Sequence, residues 1–272
     1  MTSDSHLVDA HVHFYGVYDR ARFFGGALAN FRAAAVAMGL DPAAPGYLMF
    51  SEAAGDHYFR QFRDEAGRPG ADGWSFRHTQ ECDSLIAART GGGEIVLVAG
   101  RQIATVEGLE ILALGADAEF PDGHGFAWTL KDVLASEALA VVPWGFGKWW
   151  FGRGRLLSAA LDGFDPGRVF LSDNSGRPRG FLRPALFAHG RALGLRVLPG
   201  TDPLPFAHEA GKAGGFGFVL EGALDMERPA EAIRAGARAL ADQPRAYGRL
   251  ETWGRFARHQ VAMQARKRRR AS

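Results

Sequence analysis

Short apolar runs alternate with helix-like stretches along most of the 272-residue chain, and this alternation constrains the fold more than any other feature. Strands that are separated by helices of ordinary length are typical of parallel βαβ units. About seven of the predicted strands alternate with helices, which favours a (β/α) barrel over an open sheet. The predicted strands cover residues 6–14, 47–51, 74–79, 94–115 (several runs with a hairpin turn at 107–108), 138–142, 168–171, 195–198 and 216–220. The predicted helices cover residues 20–38, 81–89, 130–136, 156–161, 184–193, 229–241 and 251–266.

Composition favours one compact domain. Hydrophobic residues make up 47% of the chain and charged residues 23%, which is the range of globular proteins. The chain has no linker-like segment rich in proline or serine. We therefore predict a single domain, with the barrel over about residues 6–220, C-terminal helices over about 227–266 and a basic tail at 266–272.

Charge and apolar patterning limit the partners and the compartment. The net charge of +2 implies no polyanionic partner for the protein as a whole, although the basic tail could contact nucleic acid or simply be a solvated terminus. The longest apolar runs are far too short to span a bilayer, so no membrane association is predicted. A single cysteine, Cys82, and the lack of a secretory signal pattern predict a cytoplasmic protein.

The first strand ends in two histidines one residue apart. Alternate side chains of a strand share a face, so His11 and His13 can point the same way and hold one metal ion. Asp9 lies on the same face, where its carboxylate could orient an imidazole. The alternative is a pair of half-exposed histidines near the N-terminus, because His-x-His alone is a short pattern.

Further polar residues follow the other predicted strands. In a (β/α) barrel the chemistry lies at the carboxyl ends of the strands. Imidazole and carboxylate groups suit zinc, manganese or iron, so we expect one or two divalent ions at the barrel mouth. The residues at these ends are His78, Gln102, Glu107 to Glu110, Asp173, Asn174 and Asp202.

Three segments carry a resemblance to a known family: Val8-Asp9-Ala10-His11-Val12-His13-Phe14, Gly100-Arg101-Gln102-Ile103 with Gly108 to Gly115, and Gly200-Thr201-Asp202. They resemble the polymerase-and-histidinol-phosphatase (PHP) domain, which is similar to the amidohydrolases. The resemblance spans about residues 6–205 and implies a distorted seven-stranded barrel with two or three metals and phosphoester hydrolysis as its usual activity. It implies that His11, His13 and Asp202 are metal ligands, with a looser match at His78.

The chain departs from the family pattern at several ligand positions. Gln102 stands where the family has a glutamate, and Glu110 where it has a histidine. Val142-Pro143 replaces a His-Pro pair, and Leu204 replaces a histidine two residues after the final aspartate. Because glutamine is a weak neutral ligand, these changes predict one metal ion, or two if Glu107, Glu110 or His78 contributes a ligand.

Two loops that follow predicted strands are candidates for substrate binding. The first, Trp144 to Arg155, mixes aromatic residues, glycines and cations, and Trp144, Lys148 and Arg153 suit an aromatic or anionic ligand. The second contains Arg177 and Arg179, whose guanidinium groups can bind phosphate or carboxylate through two parallel hydrogen bonds. The alternatives are a bulky covering loop with buried tryptophans and a capped loop that leads into a helix.

Together these features predict a metal-dependent hydrolase, most readily a phosphoesterase, with a metal-activated water at the barrel mouth. Asp202, Glu107 and Glu110 are the candidate bases, and the substrate is a small anionic or phosphorylated molecule. An amidohydrolase that acts on C–N or ester bonds is an alternative. A second alternative, motivated by the lost ligands, is a PHP-like barrel without catalysis that binds a ligand or a protein partner.

Overall fold

A computed structural model describes residues 4–70, 72–181 and 184–271 of the chain. These ranges contain eleven named strands and seven α-helices, together with a short 3-10 helix, Ala207–Glu209. The strands are β1 Ser5–Val12, β2 Gly46–Phe50, β3 Trp74–His78, β4 Ser84–Arg89, β5 Glu94–Val98, β6 Gly100–Ala104, β7 Glu110–Leu114, β8 Leu139–Pro143, β9 Val169–Ser172, β10 Phe216–Glu221 and β11 Ala246–Gly248. The helices are α1 Arg20–Met38, α2 Tyr58–Glu65, α3 Phe126–Leu134, α4 Phe151–Leu161, α5 Ala185–Ala192, α6 Pro229–Arg238 and α7 Trp253–Ala271.

The strands form two mixed sheets. The larger sheet has the order β11-β10-β1-β2-β5-β4-β3, and the smaller one has the order β6-β7-β8-β9. β1, β2 and β5 are parallel to one another, whereas β3, β4 and β5 form an antiparallel meander. β6, β7 and β8 are antiparallel, and only β8 and β9 pair in parallel in the smaller sheet.

The prediction of a distorted (β/α)7 barrel is therefore wrong. The described strands lie in two sheets without a closed barrel, and antiparallel neighbours interrupt the repeat of strand and helix. One cause is residues 81–89, which were predicted as a helix but contain β4. The predicted strand at 195–198 is another difference, since it contributes only an isolated bridge between Val197 and Leu171.

Three apolar clusters fill the structure. One lies between α1, α2 and the larger sheet and includes Phe23, Phe50 and Phe62. A second packs α3, α4 and α5 on the smaller sheet. The third contains residues of both sheets and of α6, among them Met49 and Phe170. Burial of this third cluster holds the two sheets together, because apolar surface removed from water is the main source of folding free energy.

Backbone hydrogen bonds also connect the two sheets. On one side, the N–H of Glu52 donates to the carbonyl of Gly100, and the N–H of Gln102 donates to the carbonyl of Glu52. On the other side, the segment 195–202 lies between β9 and β1, and the N–H of Ala10 donates to the carbonyl of Pro199 at 3.1 Å. The carboxyl ends of β1 and β9 and the middle of β6, at Gln102, thus lie around one region.

The C-terminal part contains the two predicted helices, here α6 and α7, with β11 between them. The predicted basic tail forms the last turns of α7 up to residue 271, while the side chains of residues 267 and 269–271 and the whole of residue 272 lie outside the described part. None of the described helices is both long enough and apolar enough to cross a membrane.

Candidate metal centre

His11 lies at the carboxyl end of β1, and His13 lies directly after it. Asp9 pairs with Leu48 and Val12 with Phe50, so β1 has one residue more than β2 over this stretch. Such β-bulges re-aim side chains and occur next to active sites. His11 and His13 are both buried, and their Nε2 atoms lie 3.1 Å apart. The two imidazoles therefore point at one spot, as the alternation along the strand predicts.

The segment that follows Pro199 brings Asp202 to the histidines. Gly200 lies so close to the His11 backbone that a Cβ would collide with it, so only glycine fits here. The Asp202 N–H donates to the His11 carbonyl at 2.8 Å, and its backbone has a φ of 46°, which is uncommon for residues other than glycine. The Asp202 Oδ1 atom lies 3.6 Å from Nε2 of both histidines.

Asn174 fixes the other carboxylate oxygen of Asp202. The Asn174 Nδ2 atom donates to Asp202 Oδ2 at 2.9 Å and to the Trp144 carbonyl at 2.9 Å. Asn174 follows β9 and is buried. This arrangement leaves Oδ1 of Asp202 directed at the histidines.

Asp9 has a different role from the one expected from the sequence. Its buried carboxylate accepts hydrogen bonds from the Thr201 N–H at 2.8 Å, the Thr201 hydroxyl at 2.6 Å and the Gly214 N–H at 2.8 Å. Asp9 therefore anchors the segment that carries Asp202, and it does not orient an imidazole. Nδ1 of His11 has no hydrogen-bond partner among the described residues.

The spacing of the three donor atoms fits one metal ion. The separations are 3.1 Å between the two nitrogens and 3.6 Å from each nitrogen to the oxygen. Donors at ordinary zinc distances in a tetrahedral shell lie roughly 3.4 Å apart. Gln102 is a neutral neighbour, with its Oε1 atom 3.2 Å from Nε2 of His11. Three protein donors leave room for a water or a substrate, as in catalytic metal sites.

The protonation states of the donors also suit a cation. Burial, together with the neighbouring His11, lowers the pKa of His13 to about 3, so this imidazole is neutral at neutral pH. Burial alone would raise the pKa of Asp202, but charges nearby, those of His11, Lys212 and Lys148 among them, lower it below its usual value. A neutral imidazole and an ionised carboxylate are the forms that bind metals.

A cavity of about 890 Å³ lies beside these donors. This volume suits a small-molecule ligand. Its wall carries three cations, Lys148, Lys212 and Arg266, and three carboxylates, those of Asp56, Glu110 and Asp202. The Glu110 carboxylate forms an ion pair with the Lys148 ammonium group. Other lining residues are His13, Tyr15, Gln102, Trp144, Asn174, Phe256 and His259.

The structure gives several predicted site residues other contacts. Both carboxylate oxygens of Glu107 accept from the Phe126 N–H at 3.0 Å, so Glu107 caps the start of α3. Arg177 is buried and forms a bidentate ion pair with Asp173: its Nε donates to Oδ1 at 2.9 Å and its Nη2 donates to Oδ2 at 2.7 Å. These contacts occupy the groups that substrate binding or proton transfer would need.

The remaining predicted residues also lie apart from the three donors. Arg153 donates to the Gly147 carbonyl at 2.8 Å, and Arg179 is exposed and donates to the Leu250 carbonyl. His78 is exposed at the end of β3. Of the predicted substrate-binding residues, only Trp144 and Lys148 line the cavity.

Sequence reasoning did not assign a role to several residues around the centre. Lys212 and Arg266 lie on the cavity wall although neither follows a predicted strand, and Tyr15, which directly follows the first predicted strand, lies there too. Asn174 was visible as a polar residue at a strand end, but its partner Asp202 is 28 positions away in the sequence. Only the fold shows that these groups meet.

No family model and no curated protein matches this chain. Its fold is similar to the crystal structure of PsfC from Pseudomonas syringae PB-5123, with a TM-score of 0.50 and 15% sequence identity. The match covers 99% of this chain and 100% of the PsfC chain. At this level of identity the likeness concerns the fold alone.

Proposed function

We propose that this protein is a metal-dependent hydrolase that holds one divalent ion with His11, His13 and Asp202. The observation that carries the proposal is the convergence of three donor atoms, 3.1–3.6 Å apart, on the wall of a large cavity. The resemblance of the histidine and aspartate segments to the PHP domain agrees with this proposal. A bound divalent ion supplies Lewis acidity and lowers the pKa of a coordinated water.

A bound divalent ion and the three cations of the wall together outweigh its three carboxylates, so the loaded site favours an anionic substrate. Lys148, Lys212 and Arg266 can attract and hold negative groups. The Lys148 ammonium can also stabilise negative charge that develops during bond cleavage. Phosphate monoesters are the first class to test, because their two charges match the cations of the wall.

Glu110 is the candidate base that the cavity favours. Its carboxylate lies on the wall and pairs with Lys148, and no backbone N–H of the described residues donates to it as the Phe126 N–H does to Glu107. In this proposal Glu110 accepts a proton from the attacking water while Asn174 keeps Asp202 oriented. Cleavage of amide or ester bonds would use the same groups.

Hydrolysis of a substrate panel tests this proposal. The panel contains a phosphate monoester, a phosphodiester, an anionic ester and an anionic amide. We expect turnover of at least one anionic member, loss of turnover on chelation, and recovery with Zn²⁺ or Mn²⁺. The double variant His11→Ala/His13→Ala should be inactive, and His78→Ala is the matched control because His78 is exposed on β3. Turnover that survives chelation, or that persists in the double variant, would contradict the proposal.

Gln102 favours a second candidate, a ligand-binding protein without catalysis. Its neutral amide lies next to His11, where a carboxylate ligand would support a second metal ion. Under this alternative an anion such as inorganic phosphate binds in the cavity, as calorimetry would detect, while no member of the panel is turned over.

A further inference from the structure

A second group of metal-binding side chains lies where the 3-10 helix meets α7. His208 and Glu209 belong to the 3-10 helix, and His259 belongs to α7, 51 positions after His208. Nε2 of His259 lies 3.3 Å from Nε2 of His208 and 3.4 Å from Oε1 of Glu209. The third distance in this group, from His208 Nε2 to Glu209 Oε1, is 3.9 Å.

We infer that His208, Glu209 and His259 form a second divalent-metal site that fastens α7 to the body of the protein. The three donor atoms have the separations expected of ligands around one ion, roughly 3.4 Å for a tetrahedral zinc site. Two imidazole nitrogens and one carboxylate oxygen are a zinc-type donor set and suit magnesium or calcium poorly. The inference does not depend on the proposed hydrolase function, since it uses none of the same donors.

Neighbouring charged groups lie beside the two buried ligands. Lys212 Nζ lies 3.1 Å from Oε2 of Glu209, which leaves Oε1 on the side of the histidines. Glu251 is buried, and its Oε2 atom lies 4.0 Å from Nδ1 of His259, behind the ring. At this distance the Glu251 charge attracts the His259 ring without a hydrogen bond, whereas a shorter contact would be needed to fix the ring as carboxylates do in many metal sites.

Two cations near Glu209 weaken the attraction for a metal but do not block the site. Arg255 lies 3.3 Å from Oε1 of Glu209, and 53% of its side chain is exposed, so an incoming ion can displace it into solvent. Lys212 contacts the other oxygen. The Lys212 charge remains nearby, so we expect a dissociation constant well above that of structural zinc sites.

An ion at this site would act on the cavity through α7. His259, Phe256 and Arg266 all lie on α7 and line the cavity beside the first centre. Joining His259 to the 3-10 helix would fix this helix over the cavity. The expected consequence is slower exchange of α7 backbone amides in the presence of zinc.

Equilibrium dialysis of the full-length protein against a series of free Zn²⁺ concentrations measures the bound zinc, because a site of modest affinity would lose its ion if free metal were removed. We use the variant His11→Ala/His13→Ala as the background, so that only the second site remains. We expect this background to bind one zinc per chain, and the further change His208→Ala to remove it. His208 is 56% exposed, so its replacement leaves the fold intact. His189→Ala is the matched control, because His189 is an exposed histidine that pairs with Asp162 on another surface.

The outcomes separate this inference from the first site. A zinc-free background variant, or a background whose zinc content His208→Ala leaves unchanged, overturns the second site. Failure of the first site has a different signature, namely a wild-type protein whose single zinc survives His11→Ala/His13→Ala and is lost in His208→Ala. Amide exchange gives an independent readout: zinc should protect α7 in the background variant and in the His189→Ala control, but not after His208→Ala. Equal protection after His208→Ala would also overturn the inference.

Discussion

One side-chain hydrogen bond determines how Asp202 faces the histidines. Asp202 has a left-handed backbone conformation, which is unfavourable for a residue with a side chain. Its N–H bond to His11 and the Asn174 amide at Oδ2 hold it there. Such indirect contacts of a ligand commonly contribute to metal affinity, because they orient the atom that binds the ion.

Replacing Asn174 by alanine should weaken metal binding. The change removes the donor to Asp202 Oδ2, so the carboxylate is no longer held toward the histidines. We expect affinity for Zn²⁺ to fall by roughly 10- to 100-fold, as is usual for outer contacts of metal ligands. Isothermal titration calorimetry measures this, with His78→Ala as the control. Equal affinities in the wild type and in Asn174→Ala would show that Asn174 does not orient the ligand.

The raised pKa of Glu52 predicts that the stability of the protein depends on pH. Burial raises the pKa of Glu52 from 4.5 to about 7, although the Phe59 N–H and Arg101 partly offset this effect. The folded protein therefore holds a proton that the unfolded chain has lost between these two pH values. Protonated Glu52 therefore stabilises the folded state fully below pH 4.5, and this stabilisation is lost as the pH rises to about 7.

The variant Glu52→Gln should lack this dependence, since an amide does not titrate and its oxygen can still accept from the Phe59 N–H. Relative to the variant, the wild type should lose up to roughly 3 kcal/mol of unfolding free energy as the pH rises from 4.5 to 8. Urea unfolding at several pH values measures it. A difference that is constant with pH would refute the raised pKa.

At the scale of secondary-structure elements, Glu107 connects the turn between β6 and β7 to the start of α3. The first N–H groups of a helix have no partner within the helix, and a carboxylate there also interacts favourably with the helix dipole. Glu107 accepts from the Phe126 N–H, the first of these groups. Its contact therefore stabilises α3 and lies apart from the metal centre.

Glu107→Ala should lower the free energy of unfolding by about 1 kcal/mol, the usual cost of losing a helix cap. Metal content and hydrolysis should be unchanged, because the cavity lining does not include Glu107. Urea unfolding and metal analysis check both parts, and Val106→Ala, at an exposed position of the same turn, is the control. A loss of metal or of turnover in Glu107→Ala would show that Glu107 takes part in metal binding or catalysis.

The elements differ in how far local sequence determines them. α1 begins after Asp19, whose side chain accepts from the Arg22 N–H, and it ends at Gly39 with a φ of 70°, so both ends could be located from the sequence. β4 was mistaken for a helix because its apolar residues fit either pattern, and its strand form depends on pairing with β3 and β5. Pairing partners are not encoded locally, which is why the barrel prediction failed.

At the scale of the whole molecule, the candidate centre lies where the two sheets meet. His11 lies on the larger sheet, Gln102 on the smaller sheet, and Asp202 on the segment between β9 and β1. The histidine pair could be predicted, because alternation along one strand brings its members together. The contacts of Asn174 and of the His208–His259 pair could not, because they join residues that are far apart in the sequence.

Metal binding should therefore stabilise the whole fold. An ion that binds only the assembled centre favours the folded state by about 2.7 kcal/mol when its free concentration is 100 times its dissociation constant. Thermal unfolding with and without Zn²⁺ measures this effect, and Asp202→Ala should lose most of it. Equal metal-induced shifts of Tm in wild type and Asp202→Ala would place the stabilising ion elsewhere.

Anomalous diffraction at the zinc edge, from crystals of the full-length protein grown with Zn²⁺, tests the central claim most directly. Our account predicts a peak among His11, His13 and Asp202, at roughly 2.0–2.2 Å from Nε2 of each histidine and from Oδ1 of Asp202. Absence of a peak at this position, in crystals whose zinc content is at least one ion per chain, would contradict the account.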